Sequence, residues 1–310
     1  MRSRRVEMTG EIVDLVAAWA GERTFCQPCF AELWRAKGGR PVAWIAHRNG
    51  EPVAALPGVE FGRAPYRRFQ SMPDGGYGGV LWSPTTAPDD QAAAAMDLAS
   101  AVARAGYAKA YIFDFYSSLE EAAGFCRGDA ATTLVDIAGP GWNPPDRKLV
   151  AQSRKAEREG IQVTTFDWGV HAESFLALVR LTARRHGRRR PFYGERFYRR
   201  LAQLARENDR VHWLMCEHNG RPACSHIYLL EDGVLQSWQM VYDKTFSFLK
   251  PNQYICLWMC RRMARAGIVR LNLGGSPDDA FSLRSYKNRW GGGPVVYRVW
   301  ERRWGLGRLR

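Results

Sequence analysis

The chain has 310 residues, enough for one large domain or two of ordinary size that each bury a core. With 12 Trp, 12 Tyr and 14 Phe its composition is globular, which excludes wholesale disorder. A formal net charge of +14 points to a polyanionic partner (RNA, DNA, a phosphorylated substrate or an anionic membrane surface), although an arginine-rich proteome produces the same sign.

Glu11 to Trp19 has helical periodicity and Phe30 to Lys37 a second short helical pattern. The start, Met1 to Arg5, is basic, but EIVDLVAAWAGER after it is broken by Asp14 and ends charged, and reads as an amphipathic helix rather than a signal peptide. No apolar run is long enough to span a bilayer, so the expected location is the cytoplasm. PVAWIAH (41–47) is an apolar strand, Asn49-Gly50 a hairpin turn and Pro52 to Val59 the return strand. A loop rich in aromatics and arginine follows at Tyr66 to Phe69. Next comes MPDGGYGGVLWSP, whose four glycines surround Tyr77 and whose Val80 to Trp82 is a strand. So many glycines beside one aromatic fit a backbone passing close to something, or an ordinary turn. Asp89 to Gly106 is a helix with acidic start and C-terminal glycine, Lys109 to Phe115 a strand, Glu120 to Cys126 a helix and Thr132 to Ile137 a strand.

GPGWNPP, residues 139–145, is dense in Pro and Gly and reads as a linker. It separates an expected first domain, 1–138, from a second, 146–310. The second opens with a strongly basic helix, Arg147 to Glu159, and a strand, Gln162 to Phe166. Helices over His171 to His186 and Glu195 to Glu207 flank the basic loop GRRRPFYG. Strands over Val211 to Glu217, Pro222 to Leu230 and Val234 to Val241 are joined by Asn219-Gly220 and Asp232-Gly233 turns. Asn252 to Ala266 is a helix, Ile268 to Leu273 a strand, and Pro294 to Trp300 the last strand before a basic tail.

The two halves repeat one layout. PVAWIAHRNGEPVAAL and HWLMCEHNGRPACSHIYLL are each an apolar strand, an NG turn and a strand starting at X-Pro. Each half then runs to a helix ended by glycine (Gly106, Gly267) and a strand (YIFDF, VRLNL). Two copies of one mixed α/β fold are implied. The seven cysteines are odd in number and scattered, which suits a reducing compartment, and the CxxC of Cys26 and Cys29 has no second ligand pair. The six histidines show no metal-ligand spacing, so no metal is expected.

The stretch IVRLNLGGSPDDAFSLRSYKNRWGGG, residues 268–293, carries the chemistry-bearing pattern. A strand ends on Gly274-Gly275, and a short helix with Ser285, Tyr286 and Lys287 follows. Glycine lets backbone or ligand approach closely, so a lysine just beyond such a strand end is placed to act on a ligand. The plain alternative is a strand, a turn and a surface lysine. The first half has no equivalent Gly-Gly and lysine segment.

Taken together, RTFCQPCFAELW, MPDGGYGGV, DRKLVAQSRKAEREGIQV and the ending from YDKTFSFLKPNQY to SLRSYKNRWGG resemble the FemABX-like branch of the GNAT acyltransferases. The resemblance spans nearly the whole chain. It implies two tandem GNAT-like domains, each a mainly antiparallel mixed sheet covered by helices, with the first on the acceptor side and the second holding donor and reacting centre. It also implies acyl or aminoacyl transfer to an amine. In tRNA-dependent members a lysine after an aromatic sits at the reacting ester, and Lys287 after Tyr286 matches it. Amine attack on an ester carbonyl builds negative charge on oxygen, which a fixed ammonium stabilises without needing a lowered pKa. The sequence supplies no obvious His or Glu base.

The resemblance places Tyr286, Asn252, Gly274, Gly275 and Ser276 with the substrate. Asp74, Tyr77 and Gly78 would line an acceptor in the first domain. Trp238, Gln239 and Tyr242 are further candidates to face the cleft, with core packing the alternative for Trp238. A typical GNAT holds the CoA pyrophosphate on a glycine-containing loop at a helix N-terminus. The matching segment here, KTFSFLKPNQY, has no glycine, nor has PTTAPDDQAA in the first half. Arg154, Lys155, Arg185, Arg188, Arg189, Arg190 and Arg284 would suit the phosphates of a tRNA, as would Arg199-Arg200 and Arg261-Arg262. A solvated helix face is the alternative for each cluster. The expected co-substrate is therefore aminoacyl-tRNA with a small or carrier-bound amine acceptor, no separate cofactor, and a monomeric chain. An acyl-CoA-dependent N-acyltransferase and a non-catalytic RNA-binding protein on a degenerate GNAT fold are the alternatives. The long helical hairpin of some tRNA-dependent members has no counterpart between His171 and Glu207.

Overall fold

The computed structural model describes residues 1–277 and 279–303; the expected basic tail beyond them lies outside the described residues. In chain order the first copy comprises β1 (Arg2–Glu7), α1 (Glu11–Ala20), α2 (Pro28–Ala31, extended by a 3-10 turn over Glu32–Lys37), β2 (Arg40–Arg48), β3 (Glu51–Phe61), β4 (Arg68–Ser71), β5 (Leu81–Trp82), α3 (Pro88–Arg104), β6 (Lys109–Asp114) and β7 (Cys126–Asp136). The second comprises α4 (Arg147–Arg158), β8 (Ile161–Thr165), α5 (Trp168–Arg185), α6 (Glu195–Glu207), β9 (Val211–His218), β10 (Arg221–Glu231), β11 (Val234–Tyr242), α7 (Pro251–Arg265), β12 (Arg270–Asn272), α8 (Phe281–Asn288) and β13 (Gly293–Arg303). No helix among the described residues is long and apolar enough to cross a membrane.

Local chemistry accounts for most of these elements. Asn49-Gly50, Asn219-Gly220 and Asp232-Gly233 all adopt positive φ at both positions, the turn whose twist matches a two-residue hairpin. α3 starts on Pro88, carries Asp89 and Asp90 in its first turn and buries Ala94, Ala95, Leu98, Ala101 and Val102 on one stripe. α4 is capped by the Asp146 carboxylate, which accepts from Lys148 N at 2.8 Å, and buries Leu149, Ser153 and Ala156 at i, i+4 and i+7. α6 buries Phe197, Tyr198, Leu201, Ala202 and Leu204 and exposes Arg196, Arg199 and Arg206.

The described residues divide into two compact units, one of residues 131–295 and the other of residues 1–130 with 296–303. The expected boundary at the GPGWNPP linker is therefore displaced: the division falls inside β7, and the end of β13 returns to the first unit. In the first unit the strand order is β1-β2-β3-β4-β6-β13, with β5 on β3; β4 and β6 run parallel. In the second it is β8-β9-β10-β11-β12-β7, with β11 and β12 parallel. Each copy thus draws its last strand from the far side of the repeat. β7 follows β6 in sequence but pairs with β12, and β13 follows α8 but pairs with β6.

One strand carries no signal in the sequence, and two expectations from sequence fail. Arg2–Glu7 is a strand, held by antiparallel pairing with β2 and by Arg5, whose guanidinium donates twice at 2.7 Å to the buried Glu60 carboxylate. Arg68–Ser71, read as loop, is β4. Glu120–Cys126 is not helical. There the Asp114 carboxylate accepts from Ser118 N and Leu119 N, each at 2.8 Å, while Arg298 and Arg302 of β13 take the carbonyls of Leu119 and Gly124. Ser117 and Gly124 sit at positive φ, which a continuous helix does not allow.

Candidate functional site

The site forms where the parallel pair of the second unit parts. β11 and β12 are in register only at Val234↔Arg270, Leu235↔Leu271 and Gln236↔Asn272. Beyond Gln236, β11 continues along β10 to Tyr242, whereas the chain after Asn272 turns away through Gly274 at φ +76°. Crevices at the carboxyl ends of diverging parallel strands are where α/β sheets bind ligands. In the first unit the corresponding parting after Ser71↔Ile112 is closed by the glycine-rich loop, with Gly78 N donating to Phe113 O at 2.7 Å.

Lys287 closes the crevice of the second unit. α8 is eight residues long and turns Lys287 inward, 3% exposed. Its Nζ donates to Gly274 O at 2.6 Å and Gly275 O at 2.7 Å. Burial lowers the lysine to about 8. The charge is desolvated and held by carbonyl dipoles rather than by a carboxylate. An ammonium has three N–H donors, so one remains for a ligand. Tyr286, its neighbour, faces the core instead, with its ring centroid 6.1 Å from that of Trp290 and its phenol pushed up by burial.

The strand end is stiffened by a residue that the sequence reading missed. Asn272, fully enclosed, accepts Gly274 N at 2.8 Å on the same Oδ1 that takes the Thr132 hydroxyl. Its signal in the sequence is one amide inside the apolar run VRLNL. A second missed residue is Gln236, 3% exposed, whose Oε1 has no hydrogen-bond partner. Cross-strand register places Gln236 opposite Leu229 and Gln239 opposite Ile227, two residues apart on β10. Trp238 is the extra residue of a bulge, so Gln236 and Gln239 fall on one face. Gln239 Nε2 donates to Tyr198 Oη at 2.7 Å, and its Oε1 is also buried and unpaired. Trp238 packs against Tyr193 and Phe197, with centroids 5.9 and 6.3 Å away. Ser276 Oγ and Asn252 Oδ1, the latter in the first turn of α7, are two more buried oxygens without partners. Of these, Gly274, Gly275, Asn272 and Lys287 are joined by direct hydrogen bonds; Gln236 adjoins them through its pairing with Asn272.

Among the expected phosphate contacts, Arg185, Arg188, Arg189 and Arg190 are exposed at and after the end of α5. Arg185 ties them to the end of β11: its guanidinium lies 3.9 Å from the Tyr242 ring centroid and donates to Tyr242 O at 3.2 Å. Arg154 and Lys155 are exposed on α4, and Arg284 lies over Phe281 on α8, at 4.8 Å.

The first-unit candidates are placed differently. Tyr77 is 4% exposed, stacked on Phe115 at 4.2 Å and edge-on to Phe25 and Tyr297. Its ring is a core element. Gly78 is required sterically, since a Cβ there would meet Ser71 O at 2.1 Å. Asp74 sits at φ +56° in the turn and pairs with Lys37 at 2.9 Å.

Residues 147–288 match the family model described as an acetyltransferase (GNAT) domain. Among solved structures the chain is similar to FemX, with TM-score 0.67, 12% identity and coverage of 95% of this chain and 96% of that one. It is similar to L-PGS from Bacillus licheniformis, with TM-score 0.63, 12% identity and coverage of 98% and 95%. A tandem GNAT protein from the clavulanic acid biosynthesis pathway aligns with TM-score 0.55, 13% identity and coverage of 99% and 100%. A search of curated proteins finds no match. The fold is thus a tandem GNAT fold, and the match to the acetyltransferase (GNAT) domain model lies within the second copy.

Proposed function

We propose that the protein is an aminoacyltransferase that moves an aminoacyl group from aminoacyl-tRNA to an amine, forming an amide. The observation that carries this reading is the buried Lys287 ammonium at the parted end of β11 and β12. The acceptor nitrogen attacks the ester carbonyl, a C–N bond forms, and negative charge collects on the carbonyl oxygen. The remaining Lys287 N–H donates to that oxygen in a site with little competing water. Fixed donors of this kind contribute roughly 100- to 1,000-fold in rate. Collapse breaks the C–O bond, and the ribose hydroxyl leaves with a proton matching the one lost by the amine.

The start of α7 favours this donor over acyl-CoA. Pro251 occupies the first helical position and brings no N–H, after Lys250 at φ +51°. A pyrophosphate at this terminus would lose one of the backbone donors that such sites use. The likeness to FemX and to L-PGS agrees with the reading. A donor screen of charged tRNAs against acyl-CoAs tests it. Transfer that RNase abolishes is expected; RNase-insensitive transfer from an acyl-CoA would overturn the tRNA donor in favour of the N-acyltransferase.

A further inference from the structure

A second opening in the 131–295 unit lies between α4 and α7, with a volume of about 280 Å³. Trp258, Arg261, Arg262 and Arg265 line it from α7, Ser153 and Glu157 from α4. The α7 residues recur at i, i+3, i+4 and i+7, so one helix face carries three guanidinium groups beside an indole. Like charges at this spacing repel, and Glu157, exposed, is the lone acidic residue of the lining. Two of the three arginines have neutral partners. Arg261 donates to Asn143 Oδ1 at 2.6 Å, and the Arg262 guanidinium lies 5.7 Å from the Trp258 ring centroid. Ser153, 5% exposed, contributes an Oγ with no hydrogen-bond partner, not even the carbonyl one turn back. A polar hydroxyl left unpaired at the floor of a cationic pocket is costly unless something accepts from it.

We infer that this pocket binds a phosphate ester of a nucleotide, its oxygens accepting from the arginines and Ser153 Oγ, and its base lying against Trp258. Arg is suited to both parts, because the planar guanidinium forks onto phosphate oxygens and stacks on rings. The inference does not depend on the transfer chemistry. The nucleotide is either free or part of an RNA, and the test separates the two.

The test is calorimetric titration of the full chain with inorganic phosphate, AMP and a short RNA hairpin, repeated on an Arg262→Gln/Arg265→Gln double variant. Saturable AMP binding tighter than phosphate is expected, with at least a tenfold loss in the double variant. Trp258→Leu is expected to weaken AMP and leave phosphate unchanged. If RNA affinity falls together with AMP affinity, the pocket takes a nucleotide of RNA; if only AMP binding falls, it takes a free nucleotide. Binding of neither ligand, or binding unmoved by the arginine changes, overturns the inference. Phenylglyoxal labelling of wild-type Arg262 and Arg265, slowed by AMP, gives a second readout without a variant. A Lys287→Met chain is expected to keep AMP affinity, which separates this site from the transfer centre.

Discussion

Lys287 Nζ lies 2.6 Å from the carbonyl oxygen of Gly274, which sits in the loop between β12 and α8 at the end of the strand crevice. Gly274 reaches that position through a left-handed turn at φ +76°, and its carbonyl, with that of Gly275, holds the ammonium where water is excluded. Such a lysine is costly to the fold and informative about function.

Lys287→Met is expected to reduce transfer at least 100-fold while the melting temperature stays the same or rises. Methionine fills a similar volume and removes a desolvated charge, against the loss of two hydrogen bonds to carbonyls. Steady-state transfer and thermal unfolding of the same preparation check this. A variant that loses stability, with activity falling only in step with the folded fraction, would make the lysine structural.

The pH profile of transfer separates a cation from a base at this position. Burial holds Lys287 at about 8, so it is charged below that pH and neutral above. If the ammonium stabilises the oxyanion, the contribution of Lys287 to the rate falls as pH rises through about 8. If neutral lysine takes a proton from the amine, it rises instead. Comparing wild-type with Lys287→Met profiles removes the titration of the attacking amine.

The hairpins and long helices were legible because their signals are local. Asn-Gly and Asp-Gly specify positive φ within two residues, and α3 and α7 carry their own stops and apolar stripes. The parallel pair and the reciprocal use of β7 and β13 rest on contacts far apart in sequence, and no local pattern marks them. Tyr77 shows the same limit at a single residue. Glycines around an aromatic fit an open loop as well as a packed one, and only Phe115, Phe25 and Tyr297 decide that this ring turns inward. Lys287 was marked by strand, glycine pair and helix in order, whereas its burial and lowered pKa are tertiary properties. Gln236 and Asn272 were missed because polar residues inside apolar strands say nothing of which face they occupy until the register and the Trp238 bulge are known.

The first unit is expected to unfold on acidification through one carboxylate. Burial alone would push the Glu60 carboxyl up, but hydrogen bonds from Arg5 and Tyr107 and the nearby charge of Arg67 outweigh it and hold the pKa below the ordinary value. Stability from this group is therefore complete above about pH 4.5 and is lost as pH falls through the lowered value. Glu60→Ala leaves Arg5 and Tyr107 facing an empty buried site and is expected to cost about 3–5 kcal/mol at pH 7. Urea unfolding of the chain at pH 7 and pH 3.5 measures both, and a Glu60→Ala chain as acid-sensitive as the wild type would refute the assignment.

Gly78→Ala is expected to disrupt the first unit more than its size suggests. A methyl at this position would meet the Ser71 carbonyl oxygen at 2.1 Å, a backbone atom that has no rotamer to yield. The chain must shift, breaking the Gly78 N to Phe113 O bond and loosening Tyr77 from Phe115. Gly75→Ala, where the space for a Cβ is open but φ is +84°, should cost only about 1 kcal/mol from backbone strain. The difference in melting temperature between the two variants isolates the steric contribution.

If the basic end of α5 contacts RNA phosphates, its charges should register in the salt dependence of binding. Arg188, Arg189 and Arg190 are exposed, and replacing all three by Gln leaves the Arg185–Tyr242 anchor intact. Each phosphate contact contributes about 0.7–0.9 to the slope of log affinity against log salt. The triple variant is thus expected to bind tRNA more weakly and to lose roughly 2 units of slope if every arginine meets a phosphate. Filter binding across a salt series reads the slope directly. An unchanged slope with an unchanged fold would assign these arginines to solvent, and the tRNA would have to approach Lys287 along another surface, for which Arg284 on α8 is the nearest candidate by sequence.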